Sequence, residues 1–171
     1  PRMTDARDPL PGSSNYVQNS TSPQAVTNFN ISGTGTANIF NAGTQFDIGG
    51  NRALIATSTT TFVGLGAGSN NALSAISNSF FGTNAGNANT TGRFNSFFGT
   101  NAGQSNTTGV SNSFFGTAAG PFNTTGSNNS FFGYIAGNQN TTGTGNSFFG
   151  VATGQATTNG NFNSFFGLAA G

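Results

Sequence analysis

Side chains that move protons, attack as nucleophiles or hold metals are scarce in this 171-residue chain, which carries four Arg and three Asp and no Lys, Glu, His, Cys or Trp. Asp5 and Asp8 lie beside Arg2 and Arg7 near the N-terminus, and Asp47 stands alone. No carboxylate pair for glycoside hydrolysis can be assembled within one chain's repeats, although three copies of Asp47 around an axis could face one another. Calcium-binding β-rolls need an Asp in every repeat, and none recurs here. Gly-rich strings such as Gly64-Leu65-Gly66-Ala67-Gly68 cradle phosphate only after a strand and before a helix, which the surrounding repeats deny. A formal net charge of +1 set by so few groups makes no basic patch for nucleic acid. The expectation is a protein that is not an enzyme, with no cofactor, no metal and no nucleic-acid partner.

The remaining chemistry belongs to amides and hydroxyls. Asn-Thr-Thr recurs at Asn89, Asn106, Asn123 and Asn140, and each is an Asn-x-Ser/Thr acceptor for glycosylation, as are Asn19, Asn30 and Asn128. The alternative is a corner turn that uses Asn and Thr for their local hydrogen bonds. Paired Thr in every turn would suit an ice-binding face only if both pointed the same way, whereas adjacent strand residues point to opposite sides.

Those residues need elements to hold them. Leu, Ile, Val and Phe number 35, about a fifth of the chain, which is the compositional border below which chains fail to bury a core. With no cysteine, backbone pairing or partners must do the stapling. No apolar run approaches the roughly 18–20 residues of a membrane span, and Pro1-Arg2-Met3 lacks the profile of a signal peptide; beginning without an initiator Met, the chain reads as a processed product or a fragment.

Self-similarity supplies the architecture. Asn-Ser-Phe-Phe-Gly begins at Asn78, Asn95, Asn112, Asn129, Asn146 and Asn163, at a constant interval of 17 residues. Another Gly follows four residues after each motif, at Gly86, Gly103, Gly120, Gly137, Gly154 and Gly171, preceded by Ala except at Thr153. A degenerate copy, Phe62-Val63-Gly64, lies 18 residues before the first full one. So constant a period predicts an all-β fold, a parallel β-solenoid or β-roll. Turns paired in register at about 4.8 Å would be misaligned by an insertion, whereas a flexible chain would tolerate one. Seventeen residues span at most ~56 Å of contour, enough for a flattened turn of two short strands and two Gly-rich corners. Helical solenoids need more residues per unit and better helix formers than Gly, Asn and Thr.

Stacked Asn at one position per turn can bond amide to amide, so Asn78, Asn95, Asn112, Asn129, Asn146 and Asn163 are expected to form an Asn ladder. A sugar-binding amide row is the functional alternative. In each Phe-Phe pair one ring can enter the interior while its neighbour points outward. Leaving an outward ladder of six Phe in water forfeits on the order of 10 kcal/mol, so the chain is expected to be an obligate oligomer whose outward ladders meet.

The Asn-Ser-Phe-Phe-Gly and Asn-Thr-Thr-Gly units resemble the repeats of trimeric autotransporter adhesin heads, whose Asn-Ser-x-x-Ile-Gly units wind a left-handed parallel β-roll joined in threes about an axis. They resemble still more the Asn/Thr/Gly-rich repeats of bacterial and phage tail-fibre-like proteins, many of which end in a self-cleaving chaperone domain. Thr4-Asp5-Ala6-Arg7-Asp8-Pro9, Gly12 to Asn19 and Phe46 to Arg52 are similar to segments that precede such repeats. The period here is longer, Phe stands in place of Ile, and the chain stops at Gly171 without a chaperone domain. The resemblance implies a homotrimer. Aligning the Phe before Gly with the family's inward Ile implies interior packing by Phe81, Phe98, Phe115, Phe132, Phe149 and Phe166. It leaves intersubunit packing to Phe80, Phe97, Phe114, Phe131, Phe148 and Phe165.

Three regions follow. Residues 1–24, rich in charge, Pro, Ser and Asn, read as an extended arm; 25–60 as a short-strand N-terminal cap or fibre segment, with strands in Val26–Ile31, Asn38–Phe40 and Gln45–Ile48; and 61–171 as the solenoid. The last turn reads as an open template that the N-terminal region of a neighbouring subunit could cover, giving a head-to-tail filament. The expected function is a structural subunit of an extracellular or cell-surface fibre, adhesin-like, with itself and a host-surface or glycan receptor as partners. The alternatives are a phage tail-fibre shaft or receptor-binding protein on a virion, and a curli-like functional amyloid. A disordered Phe-Gly hydrogel shares the dipeptides but gives no reason for a fixed period.

Overall fold

A strand of three residues recurs once per repeat because each Asn-Ser-Phe-Phe-Gly motif supplies extended, β-favouring residues and then a Gly that ends them. The computed structural model describes residues 45–48, 51–57 and 59–171, with side-chain surroundings from Leu54 onward. The extended arm and the strands expected at Val26–Ile31 and Asn38–Phe40 lie outside the described residues. Within the compact unit Ala42–Gly171 the described residues are all-β, with no helix.

Strands β1 (Gln45–Ile48) and β2 (Asn51–Ala56) precede β3 (Thr61–Val63), β4 (Ser79–Phe81), β5 (Ser96–Phe98), β6 (Ser113–Phe115), β7 (Ser130–Phe132), β8 (Ser147–Phe149) and β9 (Ser164–Phe166). All nine lie in one sheet in sequence order. From β3 to β9 every pairing is parallel, and from β4 onward like faces like: Ser96 opposite Ser113, Phe97 opposite Phe114, Phe98 opposite Phe115. The chain is thus a parallel β-solenoid of 17-residue turns.

Only one side of each turn is a strand, where two were expected. The other sides still bond turn to turn, as in Gly86 N–H to Ala102 O (2.9 Å) and Thr107 N–H to Thr124 O (2.8 Å), but through turns and bends. The Gly that ends each strand explains the break. Gly82 has φ +134°, and a Cβ there would lie 2.6 Å from the Gly99 carbonyl of the next turn. Only a residue without a side chain lets the corners stack so closely.

At the N-terminal edge β2 runs antiparallel to β3, and β1 antiparallel to β2. The β2–β3 connection is closed by Thr57 N–H to Thr60 O and a Thr57–Thr60 hydroxyl contact, both 2.8 Å. Ile55, opposite Phe62, packs on the core and covers the first ring of the inner column. The 18-residue spacing of the degenerate turn is absorbed at a corner. Ala72 pairs normally with Thr90, and the extra residue is extruded at Leu73-Ser74, both exposed, so the strand register survives.

Candidate functional site: aromatic ladders and amide columns

Five side-chain columns run along the stack. Each is set by strand alternation and by what a 17-residue turn encloses. The interior is narrow: Phe80, Phe97, Phe114, Phe131 and Phe148 are completely buried, facing Ala85, Ala102, Ala119 and Ala136. Their rings stack at 4.7–4.9 Å, nearly parallel, from Phe80 through Phe148. Small residues opposite are obligatory, since a Cβ on Gly86 would sit 2.5 Å from the Phe80 ring. Thr153 replaces Ala in that column and donates its hydroxyl to Gly167 O at 2.8 Å, which makes its burial tolerable.

The inward and outward assignments of the two Phe series are therefore reversed. Phe81, Phe98, Phe115, Phe132 and Phe149 are half-buried on the outer face and Phe166 is exposed, so they do not fill the roll. Phe80, Phe97, Phe114, Phe131 and Phe148 are sealed inside one chain, and Phe165 packs partly buried against that core, so they cannot line a seam between subunits. The physical reason is parity. Asn78 is completely buried, and in an extended segment the residue two positions on, Phe80, shares its side while Ser79 and Phe81 take the other.

The Asn ladder expected at Asn78 and its equivalents is internal, but it is amide to amide only at its last step, where Asn163 Nδ2 donates to Asn146 Oδ1 at 3.0 Å. Asn78 Oδ1 accepts from the backbone N–H of Asn95 (2.9 Å), and Asn78 Nδ2 donates to Gly92 O (2.8 Å). The pattern repeats at Asn95, Asn112, Asn129 and Asn146. Buried polar groups with both ends satisfied anchor the register of every turn.

The amide-to-amide ladder is formed by the other series, Asn89, Asn106, Asn123 and Asn140. Asn106, Asn123 and Asn140 each donate Nδ2 to Oδ1 of the preceding turn at 2.8 Å, and Asn89 donates to Asn71 at 2.7 Å. Each Nδ2 also reaches the Gly carbonyl three residues on. All four are completely buried, so glycosylation at these positions, which would attach to that nitrogen, is incompatible with the folded turn. The corner-turn reading holds. The signal for this column was available in the sequence: its Asn recurs at the same 17-residue interval over four turns, directly before the paired Thr. The ladder fails at its last step, where Thr157 occupies the next position and Asn140 Oδ1 is left buried without a partner.

The outer face carries what remains exposed. Phe81 through Phe149 form a stacked column at 4.7–4.8 Å, ending on Phe166 at 5.1 Å. Ser79 and its equivalents flank the column on the same strands, and Tyr134, Val151 and Leu168 are exposed two residues beyond it in the later turns. Because the ring faces stack on one another, the column offers ring edges outward, and flat aromatic faces are not free for a sugar to cover. Arg93, the one charged residue between Ala53 and Gly171, lies outside these strands. Among the described residues no group of His, Cys, Asp and Glu could hold a metal, and no helix is long and apolar enough to cross a membrane.

This arrangement defines a β-solenoid repeat protein, with an aromatic core and buried amide columns. No protein-family model, curated protein or solved structure matches the chain.

Proposed function

We propose that this chain is a non-catalytic structural subunit of an extracellular or cell-surface fibre, joined to copies of itself through the outward Phe81–Phe166 column. The observation that carries the reading is that column: six Phe in register on an uncharged face, with Val63 at the same position in the degenerate turn. An apolar stripe some six steps of about 4.8 Å long marks an interface, not a solvated surface. A second copy is the occupant it suits best. That copy presents the same ring spacing, and the face has no charge to repel its like. A homotrimer, as the resemblance to adhesin heads and tail fibres implies, would bring three columns to one axis. Backbone pairing in every turn would make such an assembly a stiff rod able to present a receptor-binding end.

Sedimentation equilibrium of the full chain tests this. A stable trimer is expected, with dissociation when Phe98, Phe115 and Phe132 are all changed to Ser. A folded wild-type monomer at micromolar concentration refutes self-assembly through this face.

A further inference from the structure

The sequence contains one Asn-Gly step, Asn159-Gly160, and it falls in the turn where the amide ladder ends. We infer that Asn159 is a self-modification site, at which the folded chain converts this amide to a carboxylate without a catalyst. The backbone nitrogen of Gly160 attacks Cγ of Asn159; the new N–Cγ bond forms, the Cγ–Nδ2 bond breaks, and ammonia leaves with the Gly160 amide proton. Water then opens the cyclic imide at either carbonyl, leaving an aspartate or an isoaspartate at position 159.

The local structure permits this at Asn159 and blocks it at the Asn-Ser steps of the first five motifs; at the sixth, Asn163 is restrained only by its Nδ2 donating to Asn146 Oδ1 at 3.0 Å, and Ser164 hinders ring closure where Gly160 does not. Asn159 is exposed in a bend, its side chain makes no hydrogen bond, and the Gly160 N–H has no acceptor. A following Gly has no side chain to hinder ring closure and gives the backbone the freedom to reach it. Asn-Ser steps are the next most open to this reaction. Those at Asn78, Asn95, Asn112, Asn129 and Asn146 are held, with Nδ2 donating to a Gly carbonyl and Oδ1 taking the next turn's N–H. The attacking nitrogen there is also engaged, since each following Ser N–H donates to the next turn, as Ser96 does to Asn112 O at 2.8 Å. Asn89, Asn106, Asn123 and Asn140 are sealed in the ladder. Four other turns put Thr at the equivalent corner position, Thr91, Thr108, Thr125 and Thr142, which cannot react this way.

The consequence is local. Gly160 O accepts Asn146 Nδ2 at 2.7 Å, and an isoaspartate would insert an extra backbone carbon immediately before that residue. The same turn already lacks the amide that would satisfy Asn140 Oδ1. Modification therefore loosens the fifth turn and places a negative charge on a stretch whose only charged residue is Arg93. This inference is independent of the fibre reading.

The test is peptide mapping by mass spectrometry of the full folded chain, aged at mildly alkaline pH, beside an Asn159→Thr variant. The expected result is exchange of NH2 for OH at Asn159 well ahead of every other described Asn, lost in the variant. Hydrogen exchange across residues 146–162 should quicken in aged wild type and not in aged variant. An Asn159 that survives as long as Asn128 or Asn161, both exposed, overturns the inference, as does aged wild type modified at Asn159 with unchanged exchange for the loosening it predicts.

Discussion

Replacing Thr157 by Asn should stabilise the fifth turn by extending the amide ladder one step. In turns one to four the Asn at this position donates Nδ2 to the preceding Oδ1 at 2.7–2.8 Å and to a Gly carbonyl at 3.0–3.3 Å. At Thr157 the first bond is missing and Asn140 Oδ1 is orphaned, a defect worth about 1–3 kcal/mol for a buried acceptor. The second acceptor is in place, because Gly160 O takes Asn146 Nδ2 just as Gly143 O takes Asn129 Nδ2 while also serving Asn140. The new side chain's own Oδ1 would be the next unpaired acceptor. Thr157 is only half-buried, so water can reach it and the defect moves from a sealed site to a wet one. Ordering the longer side chain costs about 1 kcal/mol, which leaves a net gain of about 1–2 kcal/mol. For a chain of this size that is a rise of about 2–8 °C in the melting midpoint if unfolding is cooperative. If the stack frays turn by turn, the gain should be confined to slower hydrogen exchange in turns four and five. The assays are thermal denaturation followed by circular dichroism and residue-resolved exchange. An unchanged or lower midpoint together with unchanged exchange would refute the claim that the amide column stabilises the solenoid.

The two rings of one motif should behave differently. Phe114→Ala opens a cavity in a sealed column and should cost about 3–5 kcal/mol, whereas Phe115→Ala on the outer face should cost well under half of that in folding while weakening self-association; paired urea titrations and sedimentation runs compare them. Ile135 holds φ +52°, a conformation that costs a β-branched residue about 1–2 kcal/mol. Ile135→Asn, which restores the residue found at the equivalent Asn84 and Asn101, should raise the urea midpoint. Residues 54–171 contain no carboxylate side chain and no His, so no side chain there gains or loses a proton between pH 3 and 8, and exchange protection of the amides in the first four turns should be the same at both ends once corrected for intrinsic rate.

The period, the strand positions and the parallel in-register pairing were legible because all three follow from one observation, six identical motifs without an insertion. The second strand per turn was not observed, and its absence follows from the left-handed residues at the corners. Positive φ at Gly82, Asn84 and Gly86 and the turn bonds Ala85 N–H to Gly82 O, Asn87 N–H to Asn84 O and Asn89 N–H to Gly86 O curl the far side into successive tight turns, yet the backbone there still bonds turn to turn. Repetition alone fixes stacking; how much of the stacked backbone counts as strand depends on corner chemistry. Left-handed φ values at Asn84, Asn101, Ala118, Ile135 and Ala152 show how little choice the corner leaves, since the same conformation is imposed on residues that tolerate it and on one that does not.

The ring assignments turn on a conflict that the sequence already contains. Asn78 and Phe81 are three apart, so in an extended strand they cannot both point inward. An internal Asn ladder and an internal Phe81 column are mutually exclusive. A family whose inward residue directly precedes Gly favours the second, but energetics favours the first. An Asn whose two ends are both satisfied in every turn fixes the register, and reversing the strand would leave those polar groups unpaired or expose the ring that stacks against Ala85. Phe can fill the core from Phe80 only because Ala and Gly face it, and that small column recurs at Ala85-Gly86, Ala102-Gly103, Ala119-Gly120 and Ala136-Gly137. The buried amides thus decide which aromatic is core and which is surface, and the surface column that remains is where an assembly of identical chains would have to form.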